Sequence, residues 1–161
     1  MKNILVPVDC SAATPRVLDL ARELAKAFGA QLHLMHVWEI VAPVPQAPLG
    51  YGTIGVPEIA PMTAPPEAMG QAVVPSKTHK AKLVEWKEEI SRAGLPVALH
   101  EPTGSVLDEI LKQADAAHVD LIVMGTHGHG AMYNLLVGSV TEGVLKRATQ
   151  PVLIVPSRVD V

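Results

Sequence analysis

The segment from Gly125 to Val140, GTHGHGAMYNLLVGSV, has the clearest chemical potential in the chain. It contains four glycines and two histidines, and it contains no lysine or arginine. Glycines let a backbone approach a ligand closely, and a helix that begins at Ser139 would offer free N–H groups to an anion. The segment therefore predicts a phosphate-binding turn made from backbone and a helix start.

Two common phosphate motifs do not fit this segment. Gly125 and Gly130 have the spacing of the glycines in a P-loop, but Ala-Met follows where Lys-Ser or Lys-Thr is required. The dinucleotide fingerprint G-x-G-x-x-G would begin at Gly128, and Tyr133 occupies its third glycine position. Both motifs are excluded.

A third pattern does fit, namely G-x-x-G, nine residues, then G-[ST]. Gly125, Gly128, Gly138 and Ser139 satisfy it. The alternative for Ser139 is structural, because Ser139 and Glu142 have the spacing of a capping box, S-x-x-E, at a helix start. Both interpretations remain open at this point.

Apolar patterning predicts the elements that position this segment. Strands and helices alternate, which is typical of right-handed crossovers and a parallel sheet covered on both faces. We expect a doubly wound α/β fold, Rossmann-like, with five strands in the order 3-2-1-4-5. Ligands of such folds bind beyond the carboxyl ends of the strands, at the switch point between strands one and four. The strands are predicted at 2–8, 30–37, 96–102, 120–125 and 151–156, and the helices at 14–29, 77–94, 105–119 and 139–149.

Capping signals set the expected helix ends. Thr14 is a candidate cap for the first helix, Gly29 a candidate stop, and Ser105 a candidate start for the third. For the second helix we expect the inward face to comprise Ala81, Val84, Trp86, Ile90 and Ala93.

The chain as a whole reads as one domain, 1–161, with a proline-rich loop insertion at about 41–76. Eight of the fourteen prolines lie in that insertion, and no apolar period survives there. The prolines and glycines in the uncharged stretch 40–57 argue against membrane insertion. A net charge of −3 argues against nucleic acid as a partner.

Cysteine content and the start of the chain address location and reactivity. One cysteine, Cys10, and the lack of a signal-peptide pattern favour the cytoplasm. Cys10 reads as a small buried residue, with a reactive thiol near a helix start as the alternative. A metal pair at His127 and His129 is a weak hypothesis, because a third ligand is missing. His33, His36, His100 and His118 read as satisfied residues at strand ends or helix surfaces.

The chain resembles the nucleotide-binding branch of the universal stress protein family. The resemblance rests on the G-x-x-G-x9-G-[ST] pattern and on the segments ILVPVD, LMHV, DLIVMGTHGHG and LLVGSVTEGVLKRATQPVLIVP, in this order. It implies ATP binding, with AMP or ADP as further ligands, and stress-response signalling through nucleotide occupancy. It also implies a homodimer that pairs through the C-terminal strand Pro151–Pro156. The nucleotide-binding residues implied are Pro7, Val8, Asp9, Val37, Met124, Gly125, Thr126, His127, Gly128, His129, Gly130, Ala131, Gly138, Ser139, Val140 and Thr141.

One position departs from the family pattern. His129 stands where several relatives carry a basic residue, so the grip on a full triphosphate is weaker, and Mg²⁺ bridging the phosphates is a way to supply the missing charge. No catalytic set is evident. The alternatives to a nucleotide-binding signalling module are a slow metal-dependent ATPase or phosphotransferase, and a dimeric scaffold that binds no nucleotide.

Overall fold

The structure is a computed structural model that describes residues 1–39, 76–126 and 138–156. Its strands are β1 (Asn3–Pro7), β2 (Gln31–Met35), β3 (Val97–His100), β4 (Leu121–Gly125) and β5 (Val152–Val155). Its helices are α1 (Thr14–Phe28), α2 (Lys77–Arg92), α3 (Val106–Ala116) and α4 (Ser139–Arg147). The predicted loop at 41–76 lies outside the described residues, except for Ser76. Among the helices in the described ranges, none combines the length and the apolar run needed to cross a bilayer.

The sheet confirms the predicted architecture. Its strand order is β3-β2-β1-β4-β5, and every neighbouring pair is parallel. Alternate residues of β1, β2, β4 and β5 enter two separate apolar clusters, because successive side chains point to opposite faces. Ile4 and Val6 lie in one cluster and Leu5 in the other. Both faces of the central strand are therefore buried, as the apolar runs in the sequence predict.

The helices divide between the two faces. Leu18 of α1 and Leu83 of α2 belong to the first cluster, whereas Ile110 of α3 and Val144 of α4 belong to the second. Paired helices on each face leave the carboxyl ends of β1 and β4 between them. This is the switch point that the predicted strand order implies.

Two local expectations about helices are corrected. The N-cap of α1 is Ala13, and the hydroxyl of Thr14 donates to Asp9 instead of capping the helix. On α2 the buried residues are Leu83 and Ile90, while Val84 is 48% exposed. The signals at Gly29 and Ser105 are confirmed, with Gly29 in the left-handed conformation after α1 and Ser105 accepting a hydrogen bond from the N–H of Asp108 at the start of α3. Helix α3 ends at Ala116 and α4 at Arg147, before the predicted ends at 119 and 149.

Candidate functional site

The ends of β1 and β4 lie side by side in the sheet. Ile4 pairs with Leu121 and Leu5 with Ile122, so the last residues of the two strands, Pro7 and Gly125, point toward the same edge. The residues predicted to bind ligand after β1 and after β4 are thus brought to one edge.

Two hydrogen bonds connect the end of β4 to the start of α4. The N–H of Gly138 donates to the carbonyl oxygen of Thr126 over 2.7 Å. The hydroxyl of Thr141, a residue 4% exposed, donates to the carbonyl oxygen of Gly125 over 3.0 Å. Gly125 at the start of the glycine pattern and Gly138–Ser139 at its end are therefore held close together by hydrogen bonds. The predicted site residues between them, His127, Gly128, His129, Gly130 and Ala131, lie outside the described residues.

The start of α4 differs from the predicted capping box. Gly138 is the N-cap, Ser139 is the first helical residue, and no side chain caps the helix. The carboxylate of Glu142 instead accepts a hydrogen bond from Lys146 over 2.6 Å, one turn along the helix. This bond and the charge of Lys146 hold the pKa of Glu142 below its ordinary value. Among the described residues, no side chain accepts a hydrogen bond from the first N–H groups of α4, and helix starts of this kind favour anions.

A cavity of about 530 Å³ opens between the starts of α3 and α4. Such a volume lies within the range of small-molecule sites. Two helix N-termini border it, and neither lysine nor arginine occurs among the described residues that line it. The lining residues are Glu39, Gly104, Ser105, Val106, Leu107, Ser139 and Val140. Of these, Ser139 and Val140 were predicted as ligand-binding residues. Glu39, Gly104 and the start of α3 were not, because only the fold brings them to α4.

Asp9 is held in a turn after β1. Its Oδ1 accepts hydrogen bonds from the N–H of Ser11 over 3.0 Å and from the hydroxyl of Thr14 over 3.1 Å. The bond to the residue two positions on is an Asx-turn, which carries the chain from β1 into α1. This turn accounts for Asp9 structurally, and it also fixes the carboxylate at the carboxyl edge of the sheet.

The ladder between β2 and β3 continues past the end of β2, at the residues on either side of Val37. The N–H groups of His36 and Trp38 donate to carbonyl oxygens of His100 and Pro102, on the β3 side. Across the described chain, Val37 has no backbone hydrogen bond of this kind. The ring Nδ1 of His36 forms a hydrogen bond with the carbonyl oxygen of Val8 over 2.8 Å. Because successive residues of a strand alternate in direction, the N–H of Val37 points to the β1 side.

Other predicted site residues are packed in the core. Val8 is 8% exposed and Met124 is 5% exposed, and they belong to different apolar clusters. The N–H of Val8 donates to Met35 over 2.8 Å, which extends the ladder between β1 and β2. Packing explains the apolar character of both residues, so a ligand would meet their backbone or one side of the side chain.

Cys10 is buried, as expected, and is not an activated thiol. Burial, with a smaller contribution from the charge of Asp9, raises the pKa of Cys10 to about 11, while Lys82 opposes this shift. The reactive-thiol alternative is therefore wrong for the protein in this state. Cys10 also has a φ of 62°, in the left-handed region that few non-glycine residues adopt.

Known proteins are similar to this chain in sequence. Universal stress protein YxiE of Bacillus subtilis is 31% identical over 154 residues, which cover 95% of this chain and 97% of that protein. Universal stress protein MJ0577 of Methanocaldococcus jannaschii is 40% identical over 76 residues, and this match spans 47% of each chain.

Solved structures share the fold. The structure of hypothetical protein MJ0577 has a TM-score of 0.72 at 24% identity and covers 99% of this chain and 98% of that chain. The structure of a universal stress protein in complex with cAMP has a TM-score of 0.64 at 23% sequence identity, and the match covers 98% of both chains. The structure of the universal stress protein from Archaeoglobus fulgidus in complex with dAMP has a TM-score of 0.61 at 21% sequence identity, and the match covers 96% of this chain and 97% of that chain. The family model described as "Universal stress protein family" matches residues 1–54 and 53–156. Sequence pattern, strand order and these matches agree, and the chain belongs to the universal stress protein family.

Proposed function

We propose that this protein binds an adenine nucleotide with its phosphates at the start of α4. The observation that carries the proposal is the uncapped helix start at Gly138–Ser139, which borders a cavity of about 530 Å³. Each contact with such a helix end stabilises an anion by roughly 0.3–1 kcal/mol, so several contacts must act together. The start of α3 borders the same cavity. Ser105 already accepts from the N–H of Asp108 there, so the N–H groups of Val106 and Leu107 are the ones that would add contacts.

The adenine and ribose would lie toward β1 and β2. The amide of Val37 offers a donor and an acceptor at the groove between these strands, which suits the edge of an adenine ring. Pro7 and Asp9 end β1 beside it. Two proteins of this fold are described in complex with cAMP and dAMP, both adenine nucleotides, which supports this ligand class.

The charge of the cavity favours a nucleotide that carries a cation. Glu39 is the charged residue among the described lining residues, and its carboxylate repels free phosphate oxygens. Carboxylate and phosphate oxygens are the ligands that Mg²⁺ prefers. We therefore expect Mg²⁺ to matter more for ATP and ADP than for AMP.

The role that follows is a binding module. Nucleotide would join the residues after β4 to the start of α4, and occupancy would be the signal read in a stress response. The described residues near the cavity hold no pair of side chains arranged as a nucleophile and its base, so efficient hydrolysis is not part of the proposal. A cytoplasmic location, a single domain over 1–161 and a homodimer through β5 belong to the same proposal.

Ligand-dependent melting tests the proposal. Ligand at about 100 times its dissociation constant adds roughly 2.7 kcal/mol to the free energy of unfolding. For a domain of this size, that raises the melting temperature by about 5–10 °C. ATP, ADP and AMP are compared with and without Mg²⁺, with GTP as the control for the base. The absence of a shift with every adenine nucleotide would favour the scaffold alternative and overturn the proposal.

Phosphate release separates binding from catalysis. The ATPase alternative expects release that rises in proportion to protein concentration and collapses in Asp9→Ala. A protein that binds ATP and returns it intact fits the binding module. Mass spectrometry of nucleotide extracted from freshly purified protein identifies the phosphate length directly.

A further inference from the structure

Three potential metal ligands converge beside the carboxyl ends of β1 and β2. They are the thiol of Cys10, the imidazole of His36 and the imidazole of His79, and their ligand atoms all lie within 4.8 Å of one another. The three residues come from three elements, namely the turn after β1, the residue after β2 and the first turn of α2. Their separation along the chain, 69 positions from Cys10 to His79, hides the cluster in the sequence.

We propose that Cys10, His36 and His79 form a zinc site. Bonds of about 2.3 Å to sulfur and about 2.0–2.1 Å to nitrogen, arranged as a tetrahedron, place the donor atoms about 3.5 Å apart. The ligand atoms already lie within 4.8 Å of one another, which is close to that spacing. Three protein ligands leave one coordination position open.

The hydrogen bond of His36 prepares its ring for a metal. Its Nδ1 lies 2.8 Å from the carbonyl oxygen of Val8, and a carbonyl only accepts. Nδ1 must therefore carry the proton, which leaves the lone pair on Nε2. Metal-binding histidines are commonly held this way, with one ring nitrogen donating to a carbonyl and the other on the metal. His36 is 8% exposed, so the ring orientation is also fixed by packing.

The surroundings limit motion of the other two ligands. The ring of His79 packs edge-on against His36 with centroids 5.6 Å apart, and it stacks on Trp38 at 6.3 Å. Cys10 is 5% exposed and keeps its left-handed φ of 62°. Strained backbone at a non-glycine residue persists where the structure around it holds it in place, often at functional sites.

The chemistry of the ligand set favours zinc. Thiolate and imidazole are the usual zinc ligands, while Mg²⁺ and Ca²⁺ prefer oxygen. Coordination would release the thiol proton to solvent and put the metal in its place. The cation would then stabilise the negative charge of the buried thiolate. The ion would tie the start of α2 to the ends of β1 and β2.

Cobalt substitution tests the site without nucleotide and without a histidine tag. The protein is stripped with chelator, dialysed, and titrated with Co²⁺ and then with Zn²⁺. We expect one Co²⁺ per chain, a thiolate-to-cobalt charge-transfer band, and loss of that band when Zn²⁺ displaces the cobalt. Cys10 is the single cysteine in the sequence, so the band reports this residue alone.

Three variants make the outcome specific. Cys10→Ala should remove the band, and His79→Gln should weaken binding of the metal at least tenfold. His118→Asn is the matched control, because it removes a histidine elsewhere while asparagine tolerates the left-handed φ of 47° found there. Circular dichroism and melting of the metal-free variants check that each one folds. Binding that survives unchanged in Cys10→Ala and His79→Gln, or no binding by the folded wild type, would overturn the zinc site.

Discussion

The hydroxyl of Thr141 donates to the carbonyl oxygen of Gly125 over 3.0 Å, which joins the first turn of α4 to the last residue of β4. Sixteen positions of sequence separate the two residues. A second bond, from the N–H of Gly138 to Thr126, closes the same gap. The bond therefore fixes where the helix begins relative to the sheet, and with it the direction in which the N–H groups of α4 point.

Replacing Thr141 with valine tests the contribution of this bond to stability. The two side chains have similar shape, so the change mainly removes the hydroxyl and leaves the part-buried carbonyl oxygen of Gly125 without this partner. We expect Thr141→Val to lower the free energy of unfolding by about 1–3 kcal/mol, measured by urea denaturation. Thr149→Val, at an exposed position in the same segment, is the control and should change it by less than about 0.5 kcal/mol. Equal effects at both positions would contradict the assigned role.

Gly143 of α4 lies directly against Leu107 of α3. A Cβ at this position would lie 2.6 Å from Cδ2 of Leu107. In a helix interior, alanine is more favourable than glycine by about 1 kcal/mol. In the native protein this gain is offset, because the new methyl group displaces Leu107. In a Leu107→Ala background the obstacle is gone. We expect Gly143→Ala to stabilise that background by about 1 kcal/mol and to stabilise the native background less.

A double-mutant cycle measures the difference between the two backgrounds. Urea denaturation of the four proteins gives the coupling between positions 107 and 143, which we expect to be at least about 0.5 kcal/mol. A coupling near zero would mean that the two helices adjust without cost.

The parts of this fold that follow from apolar period were predictable from the sequence. The apolar runs at 2–8 and 120–125 indicate strands buried on both faces, and the structure has β1 and β4 there. Gly29 and Ser105 end and begin helices as their types suggest. Such features depend on neighbours within one or two turns, so a single stretch of sequence contains enough information.

Contacts between distant segments could not be predicted in the same way. Glu142 has the spacing of a capping box, yet it binds Lys146, because an ion pair one turn away competes for the same carboxylate. The inward face of α2 was misjudged because Val84 and Leu83 are equally apolar, and only the position of the sheet decides which one is buried. His79 carries no signal for a ligand until the fold brings it to Cys10.

The histidine pair between β2 and β3 predicts a pH dependence of stability. Nδ1 of His33 lies 3.1 Å from Nε2 of His100, so one ring donates and the other accepts. Burial lowers the pKa of both residues below the ordinary 6.5, and the charge of His100 lowers that of His33 further. In the unfolded chain these two histidines therefore bind protons near pH 6.5, whereas in the folded chain they bind them only at lower pH. We expect the free energy of unfolding to fall as the pH is lowered from about 7.5 to 5.5.

His100→Asn separates this contribution from others. With one titrating ring removed, the fall over the same pH range should be smaller than in the wild type, as measured by urea midpoints at several pH values. The carboxylates with lowered pKa, Asp108, Asp120 and Glu142, have ordinary values of 3.8 to 4.5 and lose their contribution at lower pH. Parallel pH curves for variant and wild type would show that the pair is not responsible.

The edge strand β5 provides a test of the proposed homodimer. The carbonyl oxygens of Pro151 and Val155 accept hydrogen bonds from the β4 side. Because the backbone groups of successive residues point to opposite sides, the N–H of Ile154 points to the outer edge of the sheet. Ile154→Pro removes a donor on that side and leaves the ladder to β4 intact. We expect a dimer by light scattering for the wild type and a shift toward monomer for the variant, with unchanged circular dichroism. A wild-type monomer at every concentration would remove this part of the proposal.

A negative charge at Ser139 should separate stability from nucleotide binding. Ser139→Asp places a carboxylate in the first turn of α4, where the helix dipole favours it by roughly 0.3–1 kcal/mol, so the melting temperature without ligand should rise slightly. The same carboxylate would occupy the place proposed for a phosphate and repel it, so the shift caused by ATP should disappear. Ser139→Ala keeps the helix end open and should retain part of the shift.

Ser76→Asp is the matched control for this pair of changes. Ser76 is the exposed N-cap of α2 and is not among the described residues that line the cavity, so a charge there should also stabilise a helix start. Its ATP-induced shift should equal that of the wild type. If Ser139→Asp keeps a full shift, the phosphates do not bind at the start of α4. If Ser76→Asp loses the shift as well, the effect of Ser139→Asp reflects general charge rather than the site, because a carboxylate at a residue that does not line the cavity then has the same consequence.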